Sequence, residues 1–291
     1  MYKTITTTFM VALLAIGSTA FAQDGHKGHD HSAHDHSQHE GEAELVITPI
    51  APKQLKAGEK NEVSLFIQDS KAKPVDVSQF EVVHTKPVHL LIIEPSLNDY
   101  HHEHPTQKAK GMYGFSFTPN TACGYRMWAD VQLKGGHQHY YPVDIEGAEA
   151  CDAPIEKTVN LEATSQGYDF KLELESDLSV GSAVLATLTI SKDGQPLNAL
   201  EPVMGAFAHM VGFYEDYNSI AHIHPMGKEP TKDSERGGPS LSFHIEPEQT
   251  GYLKLFAQVQ IDGKQVFAPF GLMIKEGDGK ASEIEHSNHD H

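Results

Sequence analysis

One pattern constrains the fold more than any other: H-x12-H-x-H-P occurs twice, as His89, His102 and His104-Pro105 and again as His209, His222 and His224-Pro225, offset by 120 residues. The echo extends beyond the histidines. Gly58 to Pro74 resembles Gly181 to Pro196 with one gap, Tyr113 to Phe117 resembles Ser240 to Phe243, and Gly124 to Val131 resembles Gly251 to Val259. A repeat of this length is a domain and not a solenoid unit. The chain is therefore read as two copies of one fold, 44–148 and 155–276, joined near Ala148 to Ile155.

Each copy reads as all-β. Glu62 to Gln68, Val88 to Ile93, Tyr113 to Phe117, Tyr125 to Leu133 and His139 to Ile145 are short runs of β-branched and aromatic residues, broken by Gly, Pro, Asn and Asp. The second copy repeats them at Tyr168 to Leu174, Val184 to Ile190, Ala206 to Tyr214, Leu241 to Ile245, Leu253 to Ile261 and Val266 to Ile274. No stretch carries a 3.6-residue period over three turns. The expectation is two tandem antiparallel β-sandwiches of immunoglobulin-like shape.

Residues 1–22 read as a signal peptide: Lys3, an apolar run from Phe9 to Gly17 too short to span a bilayer, and a small-x-small site at Ala20-Phe21-Ala22. This predicts a periplasmic or secreted protein with no membrane insertion. In that compartment Cys123 and Cys151 are expected to form one disulfide, because neither has ligand-spaced partners for a thiolate metal site. Forty acidic against 22 basic residues, a formal charge of -18, disfavour nucleic acid and favour cations as partners.

The duplicated histidines suggest metal, since neutral imidazole is the commonest protein ligand. Alternating strand geometry puts His102 and His104 on one side, like His222 and His224. It puts His89 on the face of Leu91 and Ile93, and the following prolines are expected to end a strand and leave the clamp at a rim. Fourth-ligand candidates are Asp99, Glu103 and Asp130 in the first copy and Met210 or Met226 in the second; Met204, Met210 and Met226 also suit Cu(I). The alternative is that these histidines bond backbone carbonyls and pin a turn. His137 and His139 form a further pair without a counterpart, since Gln265 and Phe267 stand near the matching place.

Two segments add an independent signal. Residues 23–43 carry His26, His29, His31, His34, His36 and His39 among Asp, Gly and Ser, and residues 277–291 close with His286, His289 and His291. Such composition cannot build a core and is expected to be disordered, and it suits loose capture of several ions. Only neutral imidazole ligates, so with an ordinary pKa of about 6.5 binding is expected to weaken from roughly pH 7 to 5.

The stretch from His89 to Pro105, with Tyr113 to Pro119 and Gly124 to Asp130, resembles a family of bacterial secreted β-sandwich proteins. Its pattern is HL…DL..(Y/F).H.HP…G.Y.F.F.P…G.YR.WAD, and its genes often accompany those for heavy-metal and copper handling. The resemblance covers most of 80–131 and, more faintly, 203–259, where the Trp-Ala-Asp stretch is not kept. It implies Cu(II) or Zn(II) as the bound ion, copper ahead of zinc, and a metal-efflux or metallochaperone protein as partner. The residues match no blue-copper cysteine setting, no bridging-histidine superoxide dismutase loop, no Ser-His-Asp set, no Walker loop and no dinucleotide fingerprint. A non-enzymatic metal-binding protein is expected, a buffer, chaperone or resistance factor with one His-triplet site per domain; the alternative is a two-domain interaction module whose triplets are structural and whose tails alone bind metal.

Overall fold

The computed structural model describes residues 44–51, 55–149, 151 and 154–277, with the side chains of His222 and His224 outside the description. The expected signal peptide, the histidine-rich segment 23–43 and most of the tail 277–291 fall outside these residues.

The first half comprises β1 (Leu45–Ile50), β2 (Asn61–Asp69), β3 (Val88–Ile93), β4 (Tyr100–Glu103), β5 (Thr106–Ala109), β6 (Met112–Phe117), β7 (Tyr125–Gln132) and β8 (Gln138–Ile145). Sheet β1-β2-β6-β5 faces sheet β4-β3-β7-β8. In immunoglobulin terms this is A-B-E-D against C′-C-F-G, all antiparallel. The alternate residues Val63, Leu65 and Ile67 of β2 meet Val88, Leu90 and Ile92 of β3 in the core between the sheets. Cys123 and Cys151 are bridged, as expected, closing the first half near its exit.

The second half comprises β9 (Glu162–Ser165), β10 (Tyr168–Leu174), β11 (Val184–Lys192), β12 (Gln195–Pro196), β13 (Ala208–Tyr214), β14 (Ile220–Met226), β15 (Ser240–Ile245), β16 (Gly251–Ile261) and β17 (Lys264–Ile274). It repeats the first arrangement with one change. β14 is a single strand where the first half has β4 and β5 separated at His104-Pro105; it pairs with β13 through Ile220–Ile223 and with β15 through His224–Met226. The two layers thereby join into one sheet path, β17-β16-β13-β14-β15-β11-β10-β9. The expected strand end at proline is thus observed after His104 but not at Pro225, which lies where β14 crosses between layers.

β3 is buried along its whole length, unlike a strand with one wet face. Its second face, His89, Leu91 and Ile93, is covered by the other half. Leu91, Ile93, Leu97, Tyr100 and Trp128 pack there against Val211, Phe213 and Phe256, giving a third apolar cluster between the two C′-C-F-G sheets. Trp128 and Phe213 lie with ring centroids 5.6 Å apart, and Tyr100 and Phe256 4.9 Å apart. Burying each such side chain contributes about 1.5–3 kcal/mol.

The contacts are reciprocal, as a pseudo-twofold interface between duplicated halves requires. The Arg126 guanidinium donates to Tyr217 O at 2.9 Å and lies over the Tyr217 ring. At the equivalent position of β16, Lys254 Nζ donates to Asn98 Oδ1 at 3.3 Å. Leu97 and Tyr217, offset by the same 120 residues, both hold left-handed backbone, with φ of 62° and 57°.

Candidate metal centre

His89, His102 and His104 converge at the edge of this interface, each offering one ring nitrogen within 4.8 Å of the others. β3 supplies His89. β4 supplies His102 at the position directly opposite Leu91, and His104 follows two residues on, where alternation returns the side chain to the same face. His89 Nδ1 stands 3.3 Å from His102 Nε2 and 3.1 Å from His104 Nε2.

The tautomers of two of the rings follow from their outer partners. His89 Nε2 is 2.9 Å from the Val83 carbonyl, which only accepts, so Nε2 carries the proton and Nδ1 carries a lone pair. His102 Nδ1 is 2.8 Å from Gln258 Oε1, and the Gln258 amide donates from Nε2 to Gln265 Oε1 at 3.0 Å. His102 therefore holds its proton on Nδ1 and turns the Nε2 lone pair inward. Two lone pairs thus face each other at 3.3 Å with no proton between them. In the metal-free protein His104 Nε2, 3.1 Å from His89 Nδ1, can donate to the Nδ1 lone pair, and a cation would take all three nitrogens. The outer hydrogen bonds are those a metal-ligating histidine makes, with its second nitrogen donating to a carbonyl.

The two edges at His89 Nδ1, 3.1 and 3.3 Å, fit a coordination sphere. Four ligands around a tetrahedral ion at about 2.0–2.1 Å are about 3.3 Å apart. A tetragonal ion with bonds of the same length would need neighbours nearer about 2.8 Å.

Burial keeps the imidazoles neutral and ready to ligate. It lowers His89 and takes His102 well below the ordinary histidine value; it brings His104 down to about 3 and His209 to about 4, with neighbouring imidazoles adding to the effect. Proton competition therefore begins at lower pH than the free-imidazole window of 7 to 5 expected from the sequence.

The fourth-ligand candidates separate clearly. Asp99 is engaged elsewhere: it accepts from Asn120 N at 2.7 Å and from the Tyr125 hydroxyl, and it lies 3.1 Å from His101 Nε2. Glu103 alternates between His102 and His104 onto the opposite face. Asp130 lines the same cavity, raised by burial to about 6, and accepts from Gln138 Nε2 at 2.7 Å. In the second copy Met210 is part of the sandwich core and Met226 is 53% exposed.

The second triplet is described only in part. His209 occupies the same station as His89, with Nε2 at 2.9 Å from the Val203 carbonyl. Residues 222 and 224 are placed by backbone alone, His222 opposite Val211 as His102 is opposite Leu91. His26, His29, His31, His34, His36 and His39 lie outside the described residues. The clamp lies at the edge of the interface, with His102 and His104 half-buried and His102 touching the other half through Gln258. Two residues escaped the sequence reading. Gln258, at the place matching Asp130, binds His102 across the interface, and His84 brings a fourth imidazole to the same cavity. Gln258 stands beside His209 as Asp130 stands beside His89, an equivalence that marks its place in the repeat but not its partner across the interface.

The chain belongs to the family described as a domain of unknown function, DUF8832, whose profile matches residues 38–149 and 163–276, one segment over each half. Among curated proteins there is no match. Solved structures with partial likeness include trypsin-activated alpha-2-macroglobulin from Escherichia coli, at 12% identity over 79% of this chain and 15% of that one, TM-score 0.24. InvD of Yersinia pseudotuberculosis gives 14% identity over 79% and 58%, TM-score 0.25. Invasin, a bacterial integrin-binding protein, gives 12% over 78% and 39%, TM-score 0.22. This chain spans less than two thirds of each of these structures.

Proposed function

We propose that the protein is an extracytoplasmic, non-enzymatic binding protein for a divalent transition metal, acting as buffer, chaperone or resistance factor. The observation that carries this reading is the pair of opposed lone pairs on His89 Nδ1 and His102 Nε2, with His104 Nε2 completing a three-nitrogen face. Copper stands ahead of zinc on the Irving-Williams order. Zinc gains support from the 3.1–3.3 Å spacing, which matches a tetrahedral edge. The signal peptide expected from residues 1–22 and the Cys123–Cys151 bridge support the extracytoplasmic setting. The histidine-rich segments at either end are read as low-affinity collectors, and a metal-efflux or metallochaperone protein as the partner.

A second reading has its own observation. His89 and His209 both bond the carbonyl of a valine six residues earlier, at 2.9 Å, which is what a histidine that pins a turn would do. In that case the sandwiches form an interaction module and the tails alone bind metal. Zn(II) and Cu(II) titrations of the full-length protein and its His102→Ala/His104→Ala variant separate the two. The metal reading expects one tight site lost in the variant, and the turn-pin reading expects identical tight-site counts.

A further inference from the structure

The cavity beside the triad contains donors that the triad does not use. Val83–Lys86 and Val203–Ala206 are equivalent two-residue turns, each closed by reciprocal backbone hydrogen bonds between its end residues. Both central residues are left-handed in each: His84 and Thr85 at φ 47° and 68°, Met204 and Gly205 at 49° and 81°. Such turns favour Asn-Gly, so histidine, β-branched threonine and methionine are costly choices there. The two turns abut across the interface, since a Cβ on Gly205 would stand 3.9 Å from Thr85 Cγ2.

Both turns present their first central side chain to one cavity between the halves. The His84 ring is 5.2 Å from that of His209 in the other half, centroid to centroid, and 6.3 Å from that of His89 in its own. His209 Nε2 is tied to Val203 O, which leaves Nδ1 as its ligand atom. Met204 is buried and, among the described residues, belongs to none of the three apolar clusters. Its thioether is thus available as a soft donor.

We propose that His84, His209 and Met204 form a second cation site, of imidazole and thioether character, that takes a soft monovalent ion of the Cu(I) class. Thioether ligation selects Cu(I) over harder divalent ions. Neutral donors in an apolar, largely carboxylate-free cavity also desolvate a single charge more cheaply than a double one. The site draws His84 from the first half and Met204 and His209 from the second, and it stands on observations independent of the triad.

The test uses the full-length protein loaded anaerobically with Cu(I), its affinity read by competition with bathocuproine disulfonate and its ligands by copper K-edge X-ray absorption. Neither 23–43 nor 278–291 contains methionine, so a sulfur shell cannot arise from the tails. A sulfur scatterer is expected in the wild type, lost in Met204→Leu together with a weakening of about tenfold or more. His84→Ala, on the opposite half, is expected to weaken Cu(I) similarly, and Zn(II) uptake by the triad is unchanged in both. Absence of sulfur in the wild type, its persistence in Met204→Leu, or Cu(I) affinity within twofold of wild type in both variants would overturn the proposal. Failure of the triad reading would show instead as unchanged Zn(II) binding when His102 and His104 are removed.

Discussion

Gln258→Ala tests whether the second half holds the first half's ligands in place. Gln258 is 2% exposed, and its Oε1 accepts from His102 Nδ1 at 2.8 Å. Truncation removes that acceptor and leaves His102 Nδ1–H buried without it, while the exposed Gln265 amide rehydrates at little cost. Leaving such a donor unsatisfied costs about 1–3 kcal/mol of stability. Removing an outer-sphere partner of a ligating histidine weakens metal binding about 10–100-fold, equivalent to about 1.4–2.7 kcal/mol. Zn(II) affinity measured against a fluorescent chelator, with urea unfolding of the metal-free chain alongside, gives both quantities. Gln258→Glu keeps an acceptor and should recover the affinity, and Gln265→Ala should change it little. Zn(II) affinity within twofold of wild type in Gln258→Ala would refute the reasoning, because His102 would then be oriented by its own half.

Other outcomes follow from the same geometry. In the fold His89, His102, His104 and His209 titrate below the unfolded value of about 6.5, so the unfolded chain binds more protons in acid. Metal-free stability should hold above about pH 6.5 and fall as pH drops toward 4 and 3; urea midpoints flat across pH 7 to 4 would contradict this. Replacing Cys123 and Cys151 with serine opens a loop spanning 28 residues and should cost about 3–4 kcal/mol, lowering the thermal midpoint without changing the tight metal count. Trp128→Ala empties the centre of the inter-half cluster and should cost about 3–5 kcal/mol in denaturant melts, against under 1 kcal/mol if the halves touch only loosely.

The parts of this structure visible in the sequence are those that depend on local periodicity. Alternation in Val88 to Ile93 put His89 on the side of Leu91 and Ile93, and the structure keeps all three there. The 120-residue offset gave two equivalent halves, and the pairing of Cys123 with Cys151 followed from compartment chemistry. The burial of the Leu91 face was not visible, because alternation names a face without saying what covers it. A hint existed. β3 reads as a continuous apolar run, the mark of a strand buried on both sides, and Trp128 and Phe256 add aromatic bulk to the corresponding face of β7 and β16. The role of Gln258 depends on how the halves dock, across 156 residues of sequence, and no spacing rule encodes that. His84 was hidden by its turn: Val-His-Thr-Lys carries no turn signature, whereas its counterpart Val-Met-Gly-Ala contains the glycine that the left-handed backbone favours.

Cobalt offers the most direct measurement of the central claim, because Co(II) substitutes at zinc-like sites and its visible spectrum reports coordination number. Titrated into full-length protein, Co(II) should give one equivalent with the intense visible bands of a four-coordinate ion. His89→Ala, His102→Ala and His104→Ala should each abolish those bands while weak, six-coordinate binding by the tails remains. Bands unchanged in all three variants, or no four-coordinate signal in the wild type, would contradict a metal centre built from these three histidines.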